Sequence, residues 1–90
     1  LLDLRPSSDH YLKWIPLILS AKDSQGLYIP GGVAHGFQTL EDETTVDYLN
    51  SIVYEPTGQS GVNPVKSSID FKWPLQWTVI SERDLSLPRL

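Results

Sequence analysis

Cysteine and methionine are absent from this 90-residue chain, and histidine occurs only twice, as His10 and His35. Without cysteine there is no disulfide framework, no thiolate nucleophile and no thiolate metal ligand. Two imidazoles 25 positions apart form no histidine cluster, so no metal site is expected. Clustered basic residues are missing as well: 7 Lys and Arg stand against 11 Asp and Glu, for a net charge of −4. That balance excludes a nucleic-acid surface, which needs grouped cations for phosphate contacts. The longest apolar run, Ile15-Pro16-Leu17-Ile18-Leu19, carries a proline and falls far short of the about 20 residues of a membrane-spanning helix. No leader of charged then apolar residues opens the chain either. A soluble protein of the cytoplasm, with no membrane partner, is the expectation.

What is present is β-prone. Seven prolines and six glycines punctuate short β-branched and aromatic runs, the pattern of an all-β sandwich or barrel. Strands are expected at Leu1–Arg5, Tyr11–Ser20, Gly26–Ile29, Ala34–Leu40, Thr44–Tyr54 and Gln76–Ile80. Within Thr45–Tyr54, Val46, Tyr48 and Ile52 fall on one side by alternation, Asn50 is the polar exception, and Tyr48 and Tyr54 share a face. Glu55–Pro64 is loop by composition. Pro74 makes Ile69–Trp77 an extended edge or a docked loop rather than a central strand. Ser81 is placed to cap one helical turn over Glu82-Arg83-Asp84-Leu85.

One domain, residues 1–90, is all this length allows, and a chain so short buries only about 60–65% of the surface it exposes when unfolded. With no disulfide or metal to staple it, oligomerisation or additional chain is the expected source of stability. The opening Leu1-Leu2-Asp3-Leu4-Arg5 lacks an initiator methionine and reads as strand, so the expectation is the C-terminal part of something longer.

The motif that speaks of chemistry is Leu27-Tyr28-Ile29-Pro30-Gly31-Gly32-Val33-Ala34-His35-Gly36-Phe37. Gly31 and Gly32 after Pro30 allow a tight reversal with positive φ. The β-prone runs on either side make that reversal a hairpin or a strand-to-strand corner, with His35 near its rim.

Four pieces, in order, resemble the dTDP-4-dehydrorhamnose 3,5-epimerase family, specifically its C-terminal half. Asp3-Leu4-Arg5, Lys13-Trp14 and Leu19-Ser20 are similar to a strand pair of that family, and Tyr28-Ile29-Pro30 through Ala34-His35-Gly36-Phe37 to its central motif. Tyr48 and Tyr54 lie 13 and 19 residues beyond His35, as the family's paired tyrosines do, and Ile80-Ser81-Glu82-Arg83-Asp84 is similar to a C-terminal motif. The resemblance covers nearly the whole chain. It implies a cupin-type jelly roll, here partial, completed by oligomerisation or by an N-terminal half.

The resemblance also implies a reaction: inversion of carbons beside the C4 ketone of a nucleotide-linked 4-keto-6-deoxy sugar, without a cofactor, in carbohydrate or polysaccharide precursor synthesis. A proton alpha to a ketone leaves only if a base is in place and the enolate oxygen is stabilised, and a proton must return from the opposite face. By resemblance Tyr48 is the proton donor and Asp84 the carboxylate that orients the base. His35 and Tyr54 contact the nucleotide sugar. The family's base lies in an Arg-Gly-Leu-His-x-Gln motif that these residues do not contain, so the 90 residues alone are expected to be catalytically silent. Further departures are Gly61-Val62-Asn63-Pro64, where the family has a longer run ending in Asp-Pro, and Lys72, where an acidic residue often precedes Trp-Pro.

Plainer roles stand beside these. A histidine between alanine and glycine is commonly structural, paired tyrosines on a strand commonly pack, and Asp84 has Arg83 and Arg89 within reach on the chain. His10 and the acidic run Glu41-Asp42-Glu43 read as solvated, the latter a hairpin turn, and Trp73 and Trp77 as core or subunit-interface aromatics. A nucleotide-sugar-binding module without catalysis, and a purely structural fragment that pairs its open edges with another copy, are the rival functions.

Overall fold

The computed structural model describes residues 1–52 and 60–90, and the chain divides into two units, Leu1–Gly36 and Phe37–Leu90. Most of the described backbone is non-helical, and its one sheet is small and antiparallel.

In the first unit, β1 (Leu2–Asp3) pairs with β2 (Val33–Ala34) in the register Leu2 with Ala34 and Asp3 with Val33. The free edge of β1 takes a second neighbour: Leu2 bridges Trp14, Ile15 N donates to Leu1 O at 2.9 Å, and Asp3 N donates to Lys13 O at 3.1 Å. Asp3 O accepts from Leu12 N at 2.8 Å, so two residues, Leu12 and Lys13, oppose Asp3. This is a β-bulge, and Leu12 sits in the left-handed region at φ 63°, a conformation that costs a side-chain-bearing residue about 1–2 kcal/mol. Leu2, at 4% exposure, is the buried apolar residue of the described chain, flanked by the half-buried Trp14 and Ala34. Ser20 caps a 3-10 turn, Ala21–Asp23, by accepting from Lys22 N at 3.3 Å.

The second unit is organised by side chains. Asn63, 2% exposed, donates from Nδ2 to Leu85 O at 2.8 Å, while its Oδ1 accepts from Val65 N and Lys66 N, each at 2.9 Å. Its backbone N–H donates to Pro88 O at 2.8 Å, and its carbonyl accepts from Ser67 Oγ at 2.6 Å. One amide thereby ties the 63–67 turn to the end of α1 (Glu82–Leu85). The helix is a single turn that starts at Ser81, whose Oγ accepts from Asp84 N at 3.1 Å and satisfies an end donor, in keeping with the expected cap. Gln38 acts as a strand would: its Nε2 donates to Leu75 O at 3.0 Å and its Oε1 accepts from Leu75 N at 3.1 Å.

Ile69–Trp77 is irregular, as a docked loop. Phe71 N donates to Ile69 O and Trp73 N to Phe71 O, at 3.1 and 2.8 Å, two successive three-residue turns. Trp73 is half-buried, donates from its indole nitrogen to Pro64 O at 3.2 Å, and meets Trp77 edge to face at 5.1 Å. Trp77 itself is exposed.

Several expected strands are corrected. Gly26–Ile29, residues 44–52 and Gln76–Ile80 enter no ladder, and the expected Tyr11–Ser20 and Ala34–Leu40 shrink to the Trp14 bridge and to β2. Alternation makes a segment able to line a sheet, but a strand exists only when another backbone takes its N–H and C=O groups. Without such partners the apolar side chains stay in solvent: Ile18, Tyr28 and Ile52 are exposed, and Val79 is 91% exposed. The Pro30-Gly31-Gly32 reversal likewise does not fold Gly26–Ile29 onto β2; it delivers β2 to β1. The acidic run does turn, with Glu43 at φ 58° and Thr44 Oγ1 donating to Glu41 O at 2.7 Å, but no hairpin flanks it.

Candidate functional site around His35

The geometry at His35 begins with the turn before it. Val33 N donates to Pro30 O at 3.4 Å and Gly32 takes φ 85°, the third-position requirement of a type II turn. Gly32 O accepts from Leu4 N at 3.0 Å, which extends the β1–β2 pairing by a further bond. A side chain is excluded twice here, because a Cβ on Gly32 would lie 2.6 Å from Arg5 Cγ. Gly31 has open space.

Arg5 lies across the turn because Asp3 holds it. Arg5 Nε donates to Asp3 Oδ1 at 3.0 Å and Nη2 to Oδ2 at 2.9 Å, a two-pronged ion pair. Arg5 N and Ser8 Oγ add bonds of 2.9 and 2.6 Å to the same carboxylate. These partners, the Arg5 side chain first, hold the Asp3 carboxyl far below the usual carboxylate range, and Asp3 raises the Arg5 guanidinium in turn. The clamp and turn together set where β2 leaves the sheet. His35, one residue beyond β2, emerges exposed.

The other expected site residues have different surroundings. Tyr48 is 60% exposed and tilts against Phe37, ring centres 6.4 Å apart. Asp84 lies in α1, where its carboxylate accepts from Arg83 Nη1 at 3.4 Å, so the carboxylate's partner is a guanidinium. Tyr54 lies outside the described residues. The large open cleft of the second unit, about 950 Å³, is lined by Pro64, Ile69, Phe71, Trp73 and Trp77, not by Tyr48 or Asp84. Among the described residues no group of three His, Cys, Asp or Glu could hold a metal ion, and no helix is long and apolar enough to cross a membrane.

Two structural features are not evident from the sequence, the Asn63 amide and the Asp3–Arg5 clamp. Asn63 was legible only as part of a turn-rich segment, although Asn before Pro is a side-chain-to-backbone turn signal. The Asp3–Arg5 clamp was legible as a motif but not as a clamp; residues two apart on a strand share a face, which was the available clue.

A model of the dTDP-4-dehydrorhamnose 3,5-epimerase family matches residues 1–90. The chain belongs to that family. It is 36% identical over 84 residues to a dTDP-4-dehydrorhamnose 3,5-epimerase of Shigella flexneri, covering 93% of this chain and 46% of the relative. The corresponding protein of Methanothermobacter thermautotrophicus is 39% identical over 85 residues, 91% of this chain and 46% of that one. A dTDP-4-dehydrorhamnose 3-epimerase of Streptomyces niveus is 34% identical over 82 residues, 91% of this chain and 40% of that one. The chain thus spans about half the length of these epimerase relatives. No solved structure matches it significantly.

Proposed function

We propose that the chain serves as the C-terminal part of a single jelly-roll domain in a cofactor-independent epimerase. Its substrate is a dTDP-linked 4-keto-6-deoxyhexose, inverted through an enolate in carbohydrate precursor synthesis. The observation that carries this reading is the family match across all 90 residues. Tyr48 is assigned the returning proton, Asp84 the orientation of the base, and His35 and Tyr54 the nucleotide sugar. Exposure of His35 and Tyr48 to solvent is compatible with such contacts.

The jelly roll needs more protein than one copy of these residues. Apolar side chains lie bare in each unit, Ile18 at 79% exposure in the first and Val79 at 91% in the second, which supports completion by an N-terminal half or by a second copy.

The test is proton exchange. In deuterated buffer, the protein carrying the activity should place deuterium at C3 or C5 of a dTDP-4-keto-6-deoxyhexose, and Tyr48→Phe should slow that step by about 10²–10⁴-fold, the worth of a positioned acid or base. Binding without exchange would instead mark a nucleotide-sugar-binding module. Neither binding nor exchange would sink both readings.

A further inference from the structure

Phe37 and Gln38 open the second unit of the chain. Gln38 is bonded twice to the Leu75 backbone, donating from Nε2 at 3.0 Å and accepting at Oε1 at 3.1 Å, so the chain beside Phe37 is tethered. The Phe37 ring in turn is tilted 55° against the ring of Tyr48, with centres 6.4 Å apart. At that separation and tilt the positive edge of one ring is attracted to the negative face of the other.

Among the described residues little else fixes Tyr48. Its segment, residues 44–52, enters no ladder, and the next side chain, Leu49, is bare to solvent. Tyr48 is itself exposed, and a tyrosine so placed divides its time among the staggered χ1 wells. One neighbouring ring changes that balance, since a tilted aromatic pair favours the well that makes it by about two- to tenfold. Phe37 therefore selects where the Tyr48 phenol points. A proton donor works only from within about 3 Å of the atom that receives the proton, so a tyrosine in the wrong well is silent.

We propose that Phe37 is the positioning residue for Tyr48, with Gln38 anchoring it to Leu75. The assignment rests on the reading of Tyr48 as the proton donor given above. Phe37 acts through Tyr48 and needs no contact of its own with the sugar.

The experiment follows deuterium incorporation into a dTDP-4-keto-6-deoxyhexose by the protein carrying the activity, in a double-mutant cycle of Phe37→Leu and Tyr48→Phe. Phe37→Leu keeps an apolar side chain at an exposed position and should lower kcat about two- to tenfold at unchanged KM. Phe37→Tyr keeps the ring and should keep the parent rate. In the Tyr48→Phe background, Phe37→Leu should change the residual rate by under about twofold, because no donor is left to position. Equal losses in both backgrounds mark a structural role and overturn the proposal. A raised KM at unchanged kcat, the sign of a ring that touches substrate, overturns it as well. NMR separates this failure from that of the epimerase reading. The α–β couplings of Tyr48 should show one favoured χ1 well in the parent and a more even average in Phe37→Leu. Unchanged couplings sink the positioning role whatever the chemistry does. A parent that incorporates no deuterium overturns the epimerase reading, and the couplings then still show whether Phe37 orients the ring.

Discussion

Truncating Asn63 to alanine is the sharpest perturbation the structure offers. Three side-chain hydrogen bonds disappear at once, to Leu85 O, Val65 N and Lys66 N. The partner residues Val65 and Leu85 are exposed, so water can reach the freed groups and the full penalty of orphaned polar atoms is not incurred. Each bond is then worth about 1 kcal/mol net, and Asn63→Ala should cost about 3 kcal/mol. For a domain whose whole stability is about 5–15 kcal/mol, that is a large share. Asn63→Asp separates the contributions. A carboxylate still accepts from Val65 N and Lys66 N but cannot donate to Leu85 O, so its cost should fall between those of asparagine and alanine. Urea titration followed by tryptophan fluorescence reads the difference, and Trp73 reports locally because its indole bonds to Pro64 O. Amide exchange at Val65 and Lys66 should accelerate in Asn63→Ala. The reasoning is refuted if Asn63→Ala stays within about 0.5 kcal/mol of the parent, the size of an ordinary surface change, or if Asn63→Asp is as stable as asparagine.

Gly32→Ala should destabilise by about 1–2 kcal/mol through its positive φ alone, and more if Arg5 must move, whereas Gly31→Ala should be near neutral; paired denaturation curves check both. Acid unfolding should expose the Asp3 clamp. The Asp3 carboxyl is depressed in the folded state, so its contribution is present above the unfolded value of about 3.9 and is lost as pH falls toward the folded one. Asp3→Asn should therefore lower stability at neutral pH and flatten its decline below about pH 4, and a curve parallel to the parent's would contradict the clamp.

How far the sequence carries is visible at particular residues. Ser81 was readable as a cap because capping is local: one hydroxyl and a backbone N–H three residues on. The Pro30-Gly31-Gly32 turn was readable for the same reason, but its outcome was not. Whether β2 would pair back onto Gly26–Ile29 or forward onto Leu2–Asp3 is decided by a partner about 30 positions away, which no local pattern encodes. Residues 44–52 show the limit more plainly. Their alternation is genuine, yet Val46, Tyr48 and Ile52 are all exposed, because a face is buried only when another layer covers it.

The family, the turn at Gly32 and the helix cap were determined by sequence alone, since each depends on residue chemistry within a few positions. Tertiary structure decided the rest: that Asp3 holds Arg5 against Gly32, that β2 pairs with β1, and that Asn63 rather than aspartate suits its place because Leu85 O needs a donor. Those outcomes turn on which distant groups meet. Sequence states what each residue can offer, and only the folded chain states to whom.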